Sequence, residues 1–197
     1  EAMAQPDFAE AILRACHDYG FNTAIETTAF ADREVVARLI PHIDHVMMDI
    51  KHMDSDKHKA FTGQPNEQIL ENARWIAENA KHFVIRVPVV PTFNDTVEEI
   101  TAIARFAESL PNVHELHLLP YHRLGQDKYE GLGREYTLAH ITPPTKEHME
   151  ELLAAAELFA SASGYQDAET QSQMIYYDLA EEAAASGQFV LAGRYYA

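Results

Sequence analysis

The chain is poor in cysteine and in positive charge. Cys16 is the single cysteine among 197 residues. That excludes a disulfide framework and any cysteine-rich zinc or iron–sulfur site built from these residues alone. Cys16 falls in a helical run with Phe8, Ile12 and Leu13, so a buried structural thiol is expected there. Basic residues number 15 against 31 acidic ones, a formal net charge of −16. Such a surface repels phosphate backbones and anionic lipid, which argues against nucleic acid and membrane as partners. No uninterrupted apolar run approaches the ~18 residues of a membrane helix. No signal peptide is visible, which points to the cytoplasm, and the start at Glu1 rather than Met suggests a truncated chain. GxGxxG, P-loop, GxSxG and HExxH motifs are all absent. What remains is a globular composition, 47% hydrophobic, in a chain long enough for one sizeable core.

Helical and strand periods alternate along it. Residues 8–19 read as a helix closed by Gly20, and residues 22–28 as a short strand. Asp32 is a good N-cap for a helix through Ile40. Residues 44–51 form the next strand pattern, and Asn66 is placed to cap a helix over 67–80. The β-branched run 83–90 stops at Pro91; Asp95 or Thr96 then caps a helix through Ala107. Residues 113–119 make a fourth strand, and Pro143-Pro144-Thr145 opens a helix over 146–162. Strands alternating with helices predict a parallel α/β sheet. Four such units are too few for an eight-stranded barrel; they suit a doubly wound sheet or a piece of a partial barrel. The pattern weakens after Gly164, with a helix over 173–185 and a strand at 189–191 as the only signals. The expected division is therefore 1–163 and a tail, 164–197, of no assignable role.

The polar residues fall in a pattern. Side chains alternate faces along a strand, so Asp49 and Lys51 share one at the end of the second strand. Glu26 lies near the end of the first, Arg86 within the third, and His122 just beyond the fourth, in Leu118-Leu119-Pro120-Tyr121-His122-Arg123-Leu124-Gly125. Barrels keep their chemistry at the C-terminal rim, where an apolar strand running into Tyr-His and a Gly turn delivers a titratable group. Together these residues suit a zwitterionic ligand bearing hydroxyls. Lys51 or Arg86 would meet a carboxylate; Asp49 and Glu26 would accept from ammonium or hydroxyl groups. Single ion pairs inside barrels are commonly structural, and that holds for Glu26 and Arg86 taken one at a time. The remaining histidines show no metal-ligand spacing and read as surface or polar packing residues. Trp75 and the helical Phe residues read as core.

Five segments in order carry a resemblance: Glu1 to Phe8; Ala24-Ile25-Glu26-Thr27-Thr28-Ala29-Phe30; Met48-Asp49-Ile50-Lys51-His52-Met53 with His58, Thr62-Gly63 and Asn66; Ile85-Arg86-Val87-Pro88 through Asn94-Asp95; and the Leu-Pro-Tyr-His block. Over roughly residues 1–163 the chain resembles the glycyl radical enzyme activating enzymes, radical S-adenosylmethionine (SAM) proteins typified by pyruvate formate-lyase activating enzyme. The resemblance implies an α/β fold, a partial TIM-type (β/α) barrel, here lacking its first strands. It implies an anaerobic oxidoreductase that cleaves SAM reductively on a [4Fe–4S] cluster and generates a glycyl radical on a partner enzyme. An electron donor such as flavodoxin or ferredoxin is implied as well. Asp49, Ile50 and Lys51 would contact SAM, Lys51 at the carboxylate and Asp49 at the ribose or a cation. His122 would meet the ribose or adenine end, with Arg86 a further contact. Glu1 would close the family's Gly-Gly-Glu stretch at the SAM amino group. Glu26 and Thr27 match a position that helps hold a monovalent cation, where the family often has Asp.

The departure is the cluster motif CxxxCxxC, which is not among these residues, and Cys16 does not replace three thiolates. The expectation is the C-terminal portion of such an activase, inactive alone, with the 22–28 strand left as an edge. Two alternatives differ in class. One is a non-catalytic barrel remnant that binds a partner. The other is an unrelated α/β enzyme using Asp49, Lys51 and His122 for acid–base chemistry.

Overall fold

The computed structural model describes residues 1–123, 125–157 and 162–165. Residues 1–165 form one compact unit. The expected helix and strand of the tail lie outside the described residues.

Among the described residues five strands alternate with helices: β1 (Ala24–Thr27), β2 (His45–Asp49), β3 (His82–Val89), β4 (Val113–Pro120) and β5 (Ala162–Tyr165). They pair parallel in the order β1-β2-β3-β4-β5. A doubly wound sheet reverses its strand order at a switch point, and this one does not, which removes that alternative. An order that advances in one direction, joined by right-handed crossovers, keeps the helices on one face, as in a barrel segment. β1 is an edge among the described strands, paired only with β2.

Among the described residues seven α-helices accompany the strands: α1 (Pro6–Asp18), α2 (Arg33–Leu39), α3 (Ser55–Thr62), α4 (Glu67–Asn79), α5 (Val97–Glu108), α6 (Gln126–Gly131) and α7 (Lys146–Glu157). Alternation along the strands sorts the sheet into two faces. Ile25, Val46, Met48, Ile85, Val87, Leu116 and Leu118 are buried in one cluster with α2 Val36 and Leu39, α4 Ile69 and Ile76, α5 Ile100 and Ile103, and α7 Met149 and Leu152. Each such aliphatic side chain contributes about 1.5–3 kcal/mol on burial. The other face carries Glu26, Met47, Asp49, Arg86 and His117.

Several expectations are corrected. Helix α3 has too little apolar periodicity to announce itself. Its boundaries are nonetheless set locally: Asp54 accepts from Lys57 N at the N-cap, and Gly63, at φ +86°, closes the other end. The final helix does not reach Ala162, which already belongs to β5. The small residues of Ala-Ser-Ala-Ser-Gly extend a helical pattern without specifying one. Cys16 is half-buried rather than buried. Phe8 on α1 and Phe61 on α3 are exposed, so the aromatic stripes are not wholly core.

Candidate active site

The C-terminal ends of β1, β2 and β3 bring four charged side chains together. Register places Asp49 opposite Arg86. The Arg86 guanidinium donates to Asp49 Oδ1 from Nε at 3.1 Å and Nη2 at 2.9 Å. On its other side it reaches the Glu26 carboxylate, with Nη1 at 2.6 Å from Oε1 and Nη2 at 3.2 Å from Oε2. Lys51 Nζ donates to the second oxygen of Asp49 at 3.2 Å. A line Glu26–Arg86–Asp49–Lys51 thus crosses three strands, alternating in sign.

Burial differs along that line. Arg86 is nearly inaccessible, with 10% of its side chain exposed, against 18% for Asp49, 28% for Lys51 and 57% for Glu26. Burial works against the Arg86 charge, and the Glu26 and Asp49 carboxylates overcome it, so the guanidinium is held above its ordinary pKa. Arg86 is therefore a fixed cation. Lys51, at the end of the line beyond Asp49 and partly exposed, is the cation that can reach a ligand anion.

The other expected site residues divide. Ile50 is buried in the core, and its N–H continues the strand ladder to Arg86 O at 2.9 Å. Any ligand contact it makes is therefore through its carbonyl. The Glu1 carboxylate lies at the end of β1, accepting from Thr27 Oγ1, from Thr28 Oγ1 at 3.0 Å and from Thr28 N at 3.3 Å. Thr27 is buried on the face opposite Glu26, so the two side chains do not converge. Among the described residues no group of three His, Cys, Asp or Glu is placed to hold a metal ion. In the Leu-Pro-Tyr-His block, Tyr121 is buried and structural. Its hydroxyl meets Tyr136 OH at 2.8 Å and Leu138 O at 3.0 Å. Burial, reinforced by that bond, pushes the Tyr136 phenol up to about 12. His122 follows it, exposed, at the same edge of the sheet.

Sequence reasoning missed the residues that hold the rim. Asn94 is fully buried, and its amide donates to Lys51 O at 2.7 Å and Pro88 O at 2.9 Å. Its Oδ1 accepts from Val90 N at 2.7 Å. Asn66 Nδ2 donates to His52 O at 2.7 Å. His52 is buried, accepts from Asp54 N at Nδ1 (2.9 Å) and faces Glu99 at Nε2 (3.1 Å), which fixes the Nε2–H tautomer. Burial would raise the Glu99 pKa, but Lys57, His52 and Thr96 bring it below the usual range. An Asn-Asp pair after a strand-terminating Pro was the available signal, but turns use such pairs routinely.

The donor chemistry tests what this rim accepts. A lysine beside carboxylates, with acceptors on both sides, matches a ligand bearing carboxylate, ammonium and hydroxyl groups. A [4Fe–4S] cluster does not fit these residues, because one cysteine cannot supply three thiolates. Among the described residues no helix is long and apolar enough to cross a membrane.

The chain matches no family profile. It is 44% identical over 144 residues to the isethionate sulfite-lyase activating enzyme of Desulfovibrio desulfuricans, covering 72% of the chain and 46% of that enzyme. It is 42% identical over 154 residues to the 4-hydroxyphenylacetate decarboxylase activating enzyme of Clostridioides difficile, covering 77% and 48%. The chain thus matches about half the length of these two relatives. A crystal structure of a domain of pyruvate-formate lyase-activating enzyme from Bacteroides vulgatus superposes with a TM-score of 0.70 at 27% identity, covering 84% of this chain and 94% of that one. Relatives 42–44% identical over more than two thirds of this chain, together with the matching fold, show that the chain belongs to the glycyl radical enzyme activating enzymes.

Proposed function

We propose that these residues form the part of a radical SAM activase that holds SAM at the C-terminal rim of the sheet. The observation that carries the proposal is the Glu26–Arg86–Asp49–Lys51 line, which ends in a partly exposed lysine. Lys51 binds the SAM carboxylate. Asp49 accepts from the ribose or joins a monovalent cation, and the two Arg86 bonds hold its carboxylate in place. Glu1, on the end of β1, meets the amino group, and His122 meets the ribose or adenine end. The cation site draws on Glu26 and on Thr27; because their side chains diverge, Thr27 contributes its carbonyl. None of these residues can hold a [4Fe–4S] cluster; in a longer activase, a cluster held by residues outside this chain would supply the electron for SAM cleavage.

The partner is a glycyl radical enzyme, and the electron donor a flavodoxin or ferredoxin. Relatives named for isethionate sulfite-lyase and 4-hydroxyphenylacetate decarboxylase support the partner class. A net charge of −16 supports a protein partner over nucleic acid or membrane. Alone, this chain releases no 5′-deoxyadenosine.

The test is equilibrium binding of SAM to the cluster-loaded protein, wild type against Asp49→Ala and Lys51→Met. Loss of a charge-assisted contact predicts about tenfold weaker binding for each. Unchanged affinity in both variants refutes the assignment.

A further inference from the structure

We propose that Asn94 is a positioning residue for SAM binding, acting through Lys51; this rests on Lys51 meeting the SAM carboxylate. Lys51 lies beyond the last ladder residue of β2, where a strand ordinarily gives way to loose chain. Its carbonyl is instead held at 2.7 Å by an amide from the loop after β3. The same Nδ2 bonds Pro88 O, and Oδ1 takes Val90 N. Both amide hydrogens and the carbonyl oxygen of Asn94 are therefore committed, in a side chain with no exposed surface.

The geometry locks two loops to one another. Asn94 is spaced from β3 by a tight turn in which Phe93 N and Asn94 N both donate to Val90 O, at 3.0 and 3.2 Å. Its reach across to Lys51 fixes the root of the ammonium side chain relative to β3, the strand that carries Arg86. The residue after Lys51 is held similarly, its carbonyl by Asn66 and its ring by Glu99. Of these two loop amides, Asn94 is the one that bonds the Lys51 backbone itself. A flexible four-carbon side chain carries a large ordering cost on binding, and a fixed root lowers it.

Asn94→Asp keeps the shape and replaces a double donor with an acceptor facing two carbonyls. The assay is equilibrium binding to the cluster-loaded protein of two probes: SAM, and 5′-methylthioadenosine, which lacks the amino-acid part. Asn94→Asp weakens SAM about tenfold, the worth of one charge-adjacent hydrogen bond, and leaves 5′-methylthioadenosine within about twofold. In a double-mutant cycle Asn94→Asp adds little once Lys51→Met is present. Multiplying effects in that cycle, equal loss of both probes, or undiminished SAM affinity each overturn the positioning role. A Lys51→Met variant that binds SAM normally overturns it too, by removing the contact through which Asn94 acts; in that case Asn94→Asp alone reports nothing of Lys51, so the two failures are told apart. If circular dichroism shows Asn94→Asp unfolded, Asn94→Ala replaces it in the same cycle.

Discussion

Replacing Arg86 with methionine tests whether the charged rim is held by this one cation. The substitution keeps the aliphatic stem, which passes through a nearly closed site, and removes the bonds to Asp49 and Glu26. Breaking a buried ion pair by deleting one partner costs roughly 3–5 kcal/mol, because the surviving charge stays desolvated. Two features reduce the figure here. Glu26 is 57% exposed and rehydrates freely. Asp49 keeps Lys51 at 3.2 Å and some contact with water. The expected loss is therefore about 2–3 kcal/mol, below that range. For a domain of this size it corresponds to a fall in Tm of about 5–10 °C. The assay is thermal unfolding followed by circular dichroism at pH 7, with Asp49→Asn and the double variant completing a cycle. The double variant, with no stranded carboxylate at position 49, should recover part of the stability lost in Arg86→Met. A Tm change under about 2 °C for Arg86→Met refutes the argument, and so does strict additivity.

Two further outcomes concern the scaffold. Asp44 lies at the opposite end of β2, where Lys81 at 2.6 Å and the N–H and hydroxyl of Thr23 lower its carboxyl from 3.8 to about 2. A depressed folded-state pKa means stability that is full above the unfolded value and lost as pH falls through the folded one. Asp44→Asn should therefore lower Tm at pH 7, with the difference from wild type shrinking between pH 4 and pH 2; a constant difference over that window counts against the assignment. Thr92 sits at φ +72°, a conformation costly for a β-branched residue. Its bond to Asp95 runs from backbone N at 2.9 Å and survives substitution. Thr92→Gly should thus raise stability by about 1 kcal/mol in chemical denaturation, despite glycine's greater freedom when unfolded; a loss shows that the side chain matters more than the strain.

How much of this was legible in the sequence depended on the distance over which each feature is encoded. Asp49 and Lys51 were paired by strand alternation, a rule two residues long. The helices α1, α4 and α5 followed from apolar spacing within single segments. The partnership of Arg86 with Asp49 and Glu26 needs the register of three strands, and 60 positions separate its ends. No local pattern carries register. Alternation placed each residue on a face but left open which neighbour it would meet. The missed helix α3 shows the converse: its cap and its terminating glycine were legible, but a helix lying on the surface needs no apolar stripe to reveal it.

The asparagines mark the deeper limit. Asn66 looked like a helix cap and makes no cap bond; its amide goes to His52 O instead. Asn94 entered only as part of a matching segment, and its amide ties down the chain after β2. Both choices follow from one physical demand. A parallel strand that ends inside a protein leaves carbonyls beyond its ladder, and each must be satisfied or lie in water. At a rim that binds a ligand, water is what the site displaces. Side-chain amides from neighbouring loops meet the demand without moving when the ligand arrives. The polar residues that show in sequence are therefore those proposed to face the ligand. Those that hold them still come from other loops, and only the folded chain brings the two sets together.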